Sequence, residues 1–380
     1  MFGRVALTLL VLLHAYIGER LLSALVPAHP LAAAAGAAAL VALFLLTVTG
    51  LAPMRGREEA HGWLGWAALI ALGFFSSLLV LTLARDAVLL LWRAVALLSA
   101  GAFPGERFVL GSALVVPLLT VVATLLGLVN ARRVPAVREV DVPIAGLPSA
   151  WEGYTIVQIT DLHVGPTIRR GFVERVVDAT NALQADLVTL TGDLVDGEVD
   201  SLRPHTQPLS GLRARDGVFA VTGNHEYYSG ADEWVAEYRR LSLRVLMNEH
   251  VLIERQGSRL MLAGVPDYSA HHFDAEHRSD PARAAQGAPA QASPRVLLAH
   301  QPRTAEHAAA AGFDLQLSGH THGGQFFPWN WLVPLQQPYV AGLHRHGRMW
   351  VYVSRGTGYW GPPKRLGAPS EITRLRLVAA

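Results

Sequence analysis

The sequence predicts an α/β domain preceded by an all-α transmembrane region. Three observations carry that expectation. Apolar runs long enough to cross a bilayer fill residues 1–131 and then stop. Beyond residue 150, short apolar runs alternate with helix-spaced segments, the pattern of sheets covered by helices. Polar clusters of Asp, His and Asn close several of those runs, where open α/β sheets hold ligands.

The membrane region comes first. Leu31–Ala52, Trp63–Ala84 and Phe108–Ala131 hold no charged residue, and each matches the hydrocarbon thickness of a bilayer as a helix. Trp63 and Trp66 sit where an interfacial aromatic belt would form. Val5–Val26 is a fourth span interrupted by His14, Glu19 and Arg20. Glu19 and Arg20 lie near its far end, where they can snorkel or meet another helix. Asp86–Ala100 is apolar but short and carries Arg93, so it reads as an interfacial helix or a helical extension. The expectation is four helices near residues 4–26, 31–52, 63–84 and 108–131. Arg4, Arg55, Arg57, Arg132, Arg133 and Arg138 share one side in that topology and favour a cytoplasmic C-terminal domain; Arg85, Arg93 and Arg107 oppose it.

Residues 132–150 contain prolines and mixed polarity and read as a linker. From there, Tyr154–Thr160, Leu187–Thr191 and Val218–Thr222 read as strands, with helices over Gly171–Leu183 and Ala231–Leu241. Val251–Glu254 and Leu260–Val265 read as paired strands. Val296–Ala299, Leu315–Leu317, Met349–Val353 and Ile372–Leu377 complete the strands, with a helix over Ala305–Ala311. Ser269–Pro294 is rich in Ala, Pro, Gln and His and reads as a mobile loop.

Composition narrows the chemistry. Residues 1–130 carry seven arginines and five acids, about +2, which is the charge of the whole chain, so residues 131–380 are near neutral. That argues against nucleic-acid binding through a phosphate-neutralising patch. Cysteine is absent, which excludes disulfides and thiolate metal sites.

Five clusters remain, each at the C-terminal end of an apolar run: Asp161-Leu162-His163, Gly192-Asp193, Gly223-Asn224-His225-Glu226, His300 and Gly319-His320-Thr321-His322-Gly323-Gly324. Taken singly, each is ordinary turn or capping chemistry. Five together at strand ends point to a metal site. Carboxylate, imidazole and amide donors suit Mn²⁺, Fe²⁺ or Zn²⁺. More than four candidate ligands suggest two metals with a bridging carboxylate.

This series resembles the signature of the calcineurin-like metallophosphoesterases, over about Trp151–Leu377. Asp161 to Gly165 and Gly319 to Gln325 resemble the bacterial branch often joined to N-terminal membrane segments. The resemblance implies a four-layer β-sandwich flanked by helices over residues 151–380. It implies that Asp161, His163 and His322 bind one divalent cation, that Asn224, His300 and His320 bind a second, and that Asp193 bridges them. His225 would stand over the substrate as leaving-group acid, with Glu226 or Asp196 orienting it or serving only as capping or solvated groups. The implied reaction is attack of metal-bound hydroxide on a phosphodiester or pyrophosphate bond. The implied location is a bacterial inner membrane, multi-pass.

The membrane tether points to a lipid-linked substrate. Trp329, Trp331, Tyr339 and Trp360 can form a rim that receives it, or simply pack loops. Arg355 and Arg365 can touch a phosphate or form surface salt bridges. His271, His272 and His277 are not taken as ligands. Two alternatives stand beside this reading. One is a phosphomonoesterase or nucleotide phosphodiesterase whose helices serve only as an anchor. The other is a non-catalytic membrane sensor of a phosphorylated ligand.

Overall fold

In β2 (Thr155–Ile159) and β3 (Leu187–Thr191) every side chain is buried, so both faces of their sheet are covered, as parallel strands require. The computed structural model describes residues 2–27, 29–51, 62–99 and 101–380. The chain divides into two units, Met1–Val129 with Gly361–Lys364, and Asn130–Trp360 with Arg365–Ala380.

In the first unit the helices are α1 (Phe2–Leu22), α2 (Pro30–Gly50), α3 (Trp63–Ser99) and α4 (Glu106–Arg132). All four are long and apolar enough to cross a membrane. Ile17, Leu21, Phe75, Leu78, Ala113 and Val116 are buried between them. Of the two expectations for this stretch, the helical extension holds: Asp86–Ser99 continues α3, which runs for 37 residues. Two charges midway along α3 are satisfied in place. Asp86 accepts from Tyr16 Oη (2.6 Å) and Arg20 Nε (2.5 Å), and Arg85 donates to Asp86 (3.2 Å), Ser112 Oγ (2.9 Å) and the Val109 carbonyl (3.1 Å). Arg20 thus meets another helix, and Arg85 lies inside α3 instead of in a loop. Arg55 and Arg57, counted for orientation, lie outside the described residues.

In the second unit, β1 (Ala136–Ile144) occupies the stretch expected as linker. The other strands are β4 (Val218–Val221), β5 (Arg244–Val245), β6 (Glu249–Arg255), β7 (Ser258–Gly264), β8 (Arg295–Leu298), β9 (Leu315–Ser318), β10 (Gly342–His346), β11 (Met349–Val353) and β12 (Glu371–Ala379). One sheet runs β1-β12-β2-β3-β4-β5 and the other β10-β11-β9-β8-β7-β6. In the first, only β12 and β2 are antiparallel. In the second, β7, β8, β9 and β11 are mutually parallel, with β6 and β10 antiparallel at the edges.

Period-two alternation builds the layers. Ile156, Leu187, Leu262, Val296, Leu298, Leu315 and Leu317 face between the sheets. Val157, Ile159, Val188 and Leu190 face the other way, onto the side chains of α5 (Arg170–Ala182), α6 (Val199–Thr206) and α8 (Ala231–Arg240), which follow the short α7 (Asn224–Tyr228) in the case of α8. Met261, Ala263, Leu297 and Ala299 pack with α9 (Pro281–Ala285) and α10 (Ala305–Ala310). The result is helix, sheet, sheet, helix: the expected four layers. Residues 269–294 carry α9 and two single-turn helices at Ala270–His272 and Ala275–His277.

Candidate metal centre

Parallel strands place their C-terminal ends on one rim, and five of them end in the polar clusters. β2 leads into Asp161 and His163, β3 into Asp193, β4 into Asn224 and His225, β8 into His300, and β9 into His320 and His322. The chain turns sharply at each. Asp161, His163, Asp193, His320 and His322 all have positive φ, between 52° and 70°. Non-glycine residues adopt this left-handed backbone at a cost of about 1–2 kcal/mol each, and such residues gather at functional sites. The turns are held by Asp161 N–H donating to the Gly192 carbonyl (3.0 Å), His163 N–H to the Asp193 carbonyl (3.1 Å) and His320 N–H to Asp161 Oδ1 (2.9 Å). Two glycines are required by close approach. A Cβ on Gly223 would lie 2.2 Å from Asp193 Oδ1, and one on Gly319 would lie 2.1 Å from Asp161 Oδ2.

The side chains converge. The ligand atoms of Asp161, His163 and His322 lie within 4.8 Å of one another, as do those of Asp193, His300 and His320, and of His163, Asp193 and His225. Hydrogen bonds fix which nitrogens face the centre. His163 Nδ1–H donates to Asp196 Oδ1 (2.8 Å), and His300 Nδ1–H donates to the Thr191 carbonyl (2.8 Å), so each turns its Nε2 inward. Asp193 Oδ2 lies 3.1 Å from His300 Nε2 and 3.9 Å from both His163 Nε2 and His225 Nε2. Asn224 Oδ1 is buried with no hydrogen-bond partner among the described residues. Acceptors crowded in this way need a proton or a cation between them.

The electrostatics follow from the crowding. Burial alone would push His300 down, but the Asp193 carboxylate beside it holds it well above the usual imidazole range. Burial likewise opposes Asp193, yet His300 and His225 keep it well below the usual carboxylate range. Burial raises Asp161. A proton on His300 therefore does without metal what a cation would do there. Carboxylate, imidazole and amide oxygen, with no thiolate, make a donor set that fits Mn²⁺, Fe²⁺ or Zn²⁺. His322 carries one constraint: Arg365 Nη2 donates to its Nδ1 (3.0 Å), which leaves the ring proton on Nε2. A cation at that nitrogen requires the Arg365 contact to open so that the proton can move to Nδ1.

His225 stands at the edge of this cluster. Its backbone N–H donates to Asp193 Oδ1 (2.8 Å), its Nδ1 lies 2.6 Å from Asp196 Oδ1, and Trp360 meets its ring edge-on at 5.7 Å. Burial pushes His225 down, but Asp193 and Asp196 push it up to about 9. Asp196 is not a solvated residue: despite burial, His163 and His225 hold it well below the usual carboxylate range. Glu226 is not solvated either. Oε2 accepts from the N–H of Gly223 (2.6 Å) and Asp193 (3.0 Å), and Oε1 accepts from the N–H of Leu194 (2.8 Å) and Tyr238 Oη (2.9 Å). It ties the Asp193 turn to the Asn224 turn. Sequence offered one signal for both carboxylates, their closeness to Asp193 and His225, and none for their partners.

Other expectations change. Arg365 is buried and donates to the carbonyls of His322 (2.9 Å) and Arg355 (2.7 Å), so it presents no surface guanidinium, while Arg355, partly exposed, forms the salt bridge expected as its alternative, with Glu371 (2.9 Å). Tyr339 stacks on His344 at 4.6 Å and hydrogen-bonds His346, so its ring packs within its own loop and hairpin. His271 lies tilted against His272 with ring centroids 4.0 Å apart, and His277 packs edge-on against Tyr227; none of the three is among the residues whose ligand atoms converge.

Comparison with known proteins agrees with this geometry. Residues 154–324 match the family described as Calcineurin-like phosphoesterase. A bovine transmembrane protein with metallophosphoesterase domain is 42% identical over 275 residues, 69% of this chain and 62% of that protein. A metallophosphoesterase from Helicobacter pylori is 40% identical over 225 residues, 59% of each chain. One from Aquifex aeolicus is 34% identical over 228 residues, 60% of this chain and 85% of its own. The chain thus spans about three fifths of the length of the first two. On these matches, the chain belongs to the calcineurin-like metallophosphoesterases.

Proposed function

We propose that this chain is a membrane-anchored, metal-dependent phosphoester hydrolase with a dinuclear site. Asp161, His163 and His322 would hold one divalent cation, Asn224, His300 and His320 a second, and Asp193 would be shared. The observation that carries this is the convergence of the inward Nε2 atoms of His163 and His300 on Asp193 Oδ2, with a buried, unpartnered Asn224 Oδ1 in the strand-end turn that also carries His225. When bound, two such cations acidify water and offset charge on phosphoryl oxygens.

The chain's own residues do the rest. Asp196 fixes the Nδ1–H tautomer of His163 and holds His225 so that its Nε2 faces Asp193 and the open side of the site. The raised pKa keeps a proton on His225 at neutral pH in the cation-free protein. That proton is placed for the departing alkoxide, a transfer worth about 10²- to 10⁴-fold. Glu226 keeps the Asp193 and Asn224 turns in register. A phosphodiester or pyrophosphate bond is the proposed target. The four apolar helices support a membrane location, and we place the enzyme in a bacterial inner membrane with residues 132–380 cytoplasmic.

The test uses the full chain in detergent, stripped of metal and resupplied with Mn²⁺, on an aryl phosphodiester and the matching monoester. Metal-dependent diester cleavage lost in Asp193→Asn and weakened in His225→Ala is expected. Two bound cations per chain with no turnover on either ester, nor on a membrane-anchored aryl phosphodiester, would overturn the hydrolase reading and favour a phosphoryl-ligand sensor.

A further inference from the structure

The segment after Gln325 holds an apolar surface that the metal centre does not use. From Phe326 to Leu343 there is no Asp, Glu, Lys or Arg. Among residues 130–380, five of the ten exposed large hydrophobic side chains fall between Phe327 and Leu335. Phe327 is 50% exposed, Trp331 67%, Leu332 49% and Leu335 80%. Exposed apolar residues scattered singly need no explanation, but a contiguous patch marks an interaction surface.

The segment is folded, with its own peptide groups paired. The N–H groups of Trp329, Trp331, Leu332 and Leu335 donate to the carbonyls of Phe326 (3.1 Å), Pro328 (3.0 Å), Trp329 (2.9 Å) and Leu332 (3.1 Å). Such a segment can enter an apolar medium without stranding those N–H groups. Its composition of Trp, Phe, Leu and Pro suits the boundary between hydrocarbon and water.

Two facts favour a bilayer over a protein partner. The same chain carries four helices apolar enough to span one. Only three residues, 133–135, separate Arg132 at the end of α4 from Ala136 at the start of β1, a reach of at most about 14 Å. The second unit is therefore tethered within that reach of the end of α4. The segment also connects to the metal centre: the Gln325 side chain accepts from the Trp360 N–H (2.8 Å) and donates to its carbonyl (2.9 Å), and Trp360 borders His225.

We propose that residues 326–336 form a membrane-interface wedge. Phe327, Trp331, Leu332 and Leu335 enter the headgroup layer of the bilayer that the helices cross. The metal centre then works at the lipid surface, on a phosphoester whose apolar part stays in the membrane. The substrate half of this inference rests on the hydrolase reading; the insertion half does not.

The chain has no cysteine, so single labels can be placed cleanly. Full-length Leu335→Cys carries an environment-sensitive fluorophore in phosphatidylcholine–phosphatidylglycerol vesicles. Asp178→Cys on α5 and Glu306→Cys on α10 serve as controls on the two outer layers of the sandwich. The Leu335 label is expected to be quenched by lipid spin-labelled near the headgroup, and several-fold less than the controls by aqueous iodide. Iodide quenching equal to the controls, with no lipid quenching, would overturn the wedge. A second measurement uses Trp331→Glu combined with Leu335→Glu. Cleavage of a water-soluble aryl phosphodiester should be unchanged, while cleavage of a diacyl-anchored aryl phosphodiester in the same vesicles falls several-fold. Equal rates on the anchored ester for variant and wild type would overturn the role in substrate capture. Wild type inactive on both esters would sink the hydrolase reading, and the quenching experiment would still decide insertion.

Discussion

His163 and His225 share one acceptor. Their Nδ1 atoms lie 2.8 Å and 2.6 Å from the same oxygen, Asp196 Oδ1, and their rings meet edge-on at 4.7 Å. A proposed metal ligand and the proposed proton donor are thus oriented by one carboxylate. Moving that carboxylate perturbs cation affinity and proton transfer together.

Asp196→Asn should therefore reduce Mn²⁺ affinity, by about 10- to 100-fold as for other groups that orient ligands, and also slow turnover at saturating metal. It removes a negative charge that raises His225. The loss of activity at high pH should accordingly move to lower pH than in wild type. Metal titration by calorimetry and pH–rate profiles on an ester with a poor leaving group check both. An unmoved alkaline limb would separate Asp196 from the proton donor.

In the cation-free protein, His225 is raised from 6.5 to about 9. Its charged form contributes stability that is fully present below pH 6.5 and is lost as pH rises through about 9. The metal-stripped full chain should therefore lose thermal stability across that window more steeply than metal-stripped His225→Ala. Thermal midpoints measured from pH 6 to pH 10 test this.

Removing metal should destabilise residues 130–380. The inward carboxylates and imidazoles and five left-handed turns are tolerated more easily with a cation present. Free Mn²⁺ at about 100 times its dissociation constant should restore about 2.7 kcal/mol of stability. A thermal midpoint indifferent to chelator and to Mn²⁺ would contradict a bound-metal role for the cluster.

Glu226→Ala strips acceptors from three buried backbone N–H groups and from Tyr238 Oη. Leaving a buried donor unpaired costs about 1–3 kcal/mol, so stability should fall by several kcal/mol and the metal stoichiometry with it. Gly319→Ala is the sharper probe of the site, because its Cβ meets Asp161 Oδ2 at 2.1 Å. Activity and metal content should be lost with circular dichroism largely kept.

The spans and the five strand-end clusters were legible because length of apolar run and position at a strand end are local signals. β1 was not. Its alternation is confined to Val140, Val142 and Ile144 beside Pro143, the rest of its side chains are mostly exposed, and its partner β12 is 235 residues away at Ala136–Glu371. The continuation of α3 past Arg85 and Asp86 stayed one of two readings because their partners Tyr16, Arg20 and Ser112 lie on other helices. Asp196, Glu226 and Arg365 were visible as residue types only. What each does depends on which groups folding aims at them, and a buried carboxylate reads in sequence like a solvated one.

The position of β12 bears on how the molecule is made. Residues 371–379 lie between β1 and β2, yet they leave the ribosome after every other strand. Until then, β1 and β2 each keep an open edge while the helices ahead of them have already met the membrane. Open strand edges invite wrong pairing. Deleting residues 371–380 should leave membrane insertion intact and make the second unit prone to aggregation and proteolysis.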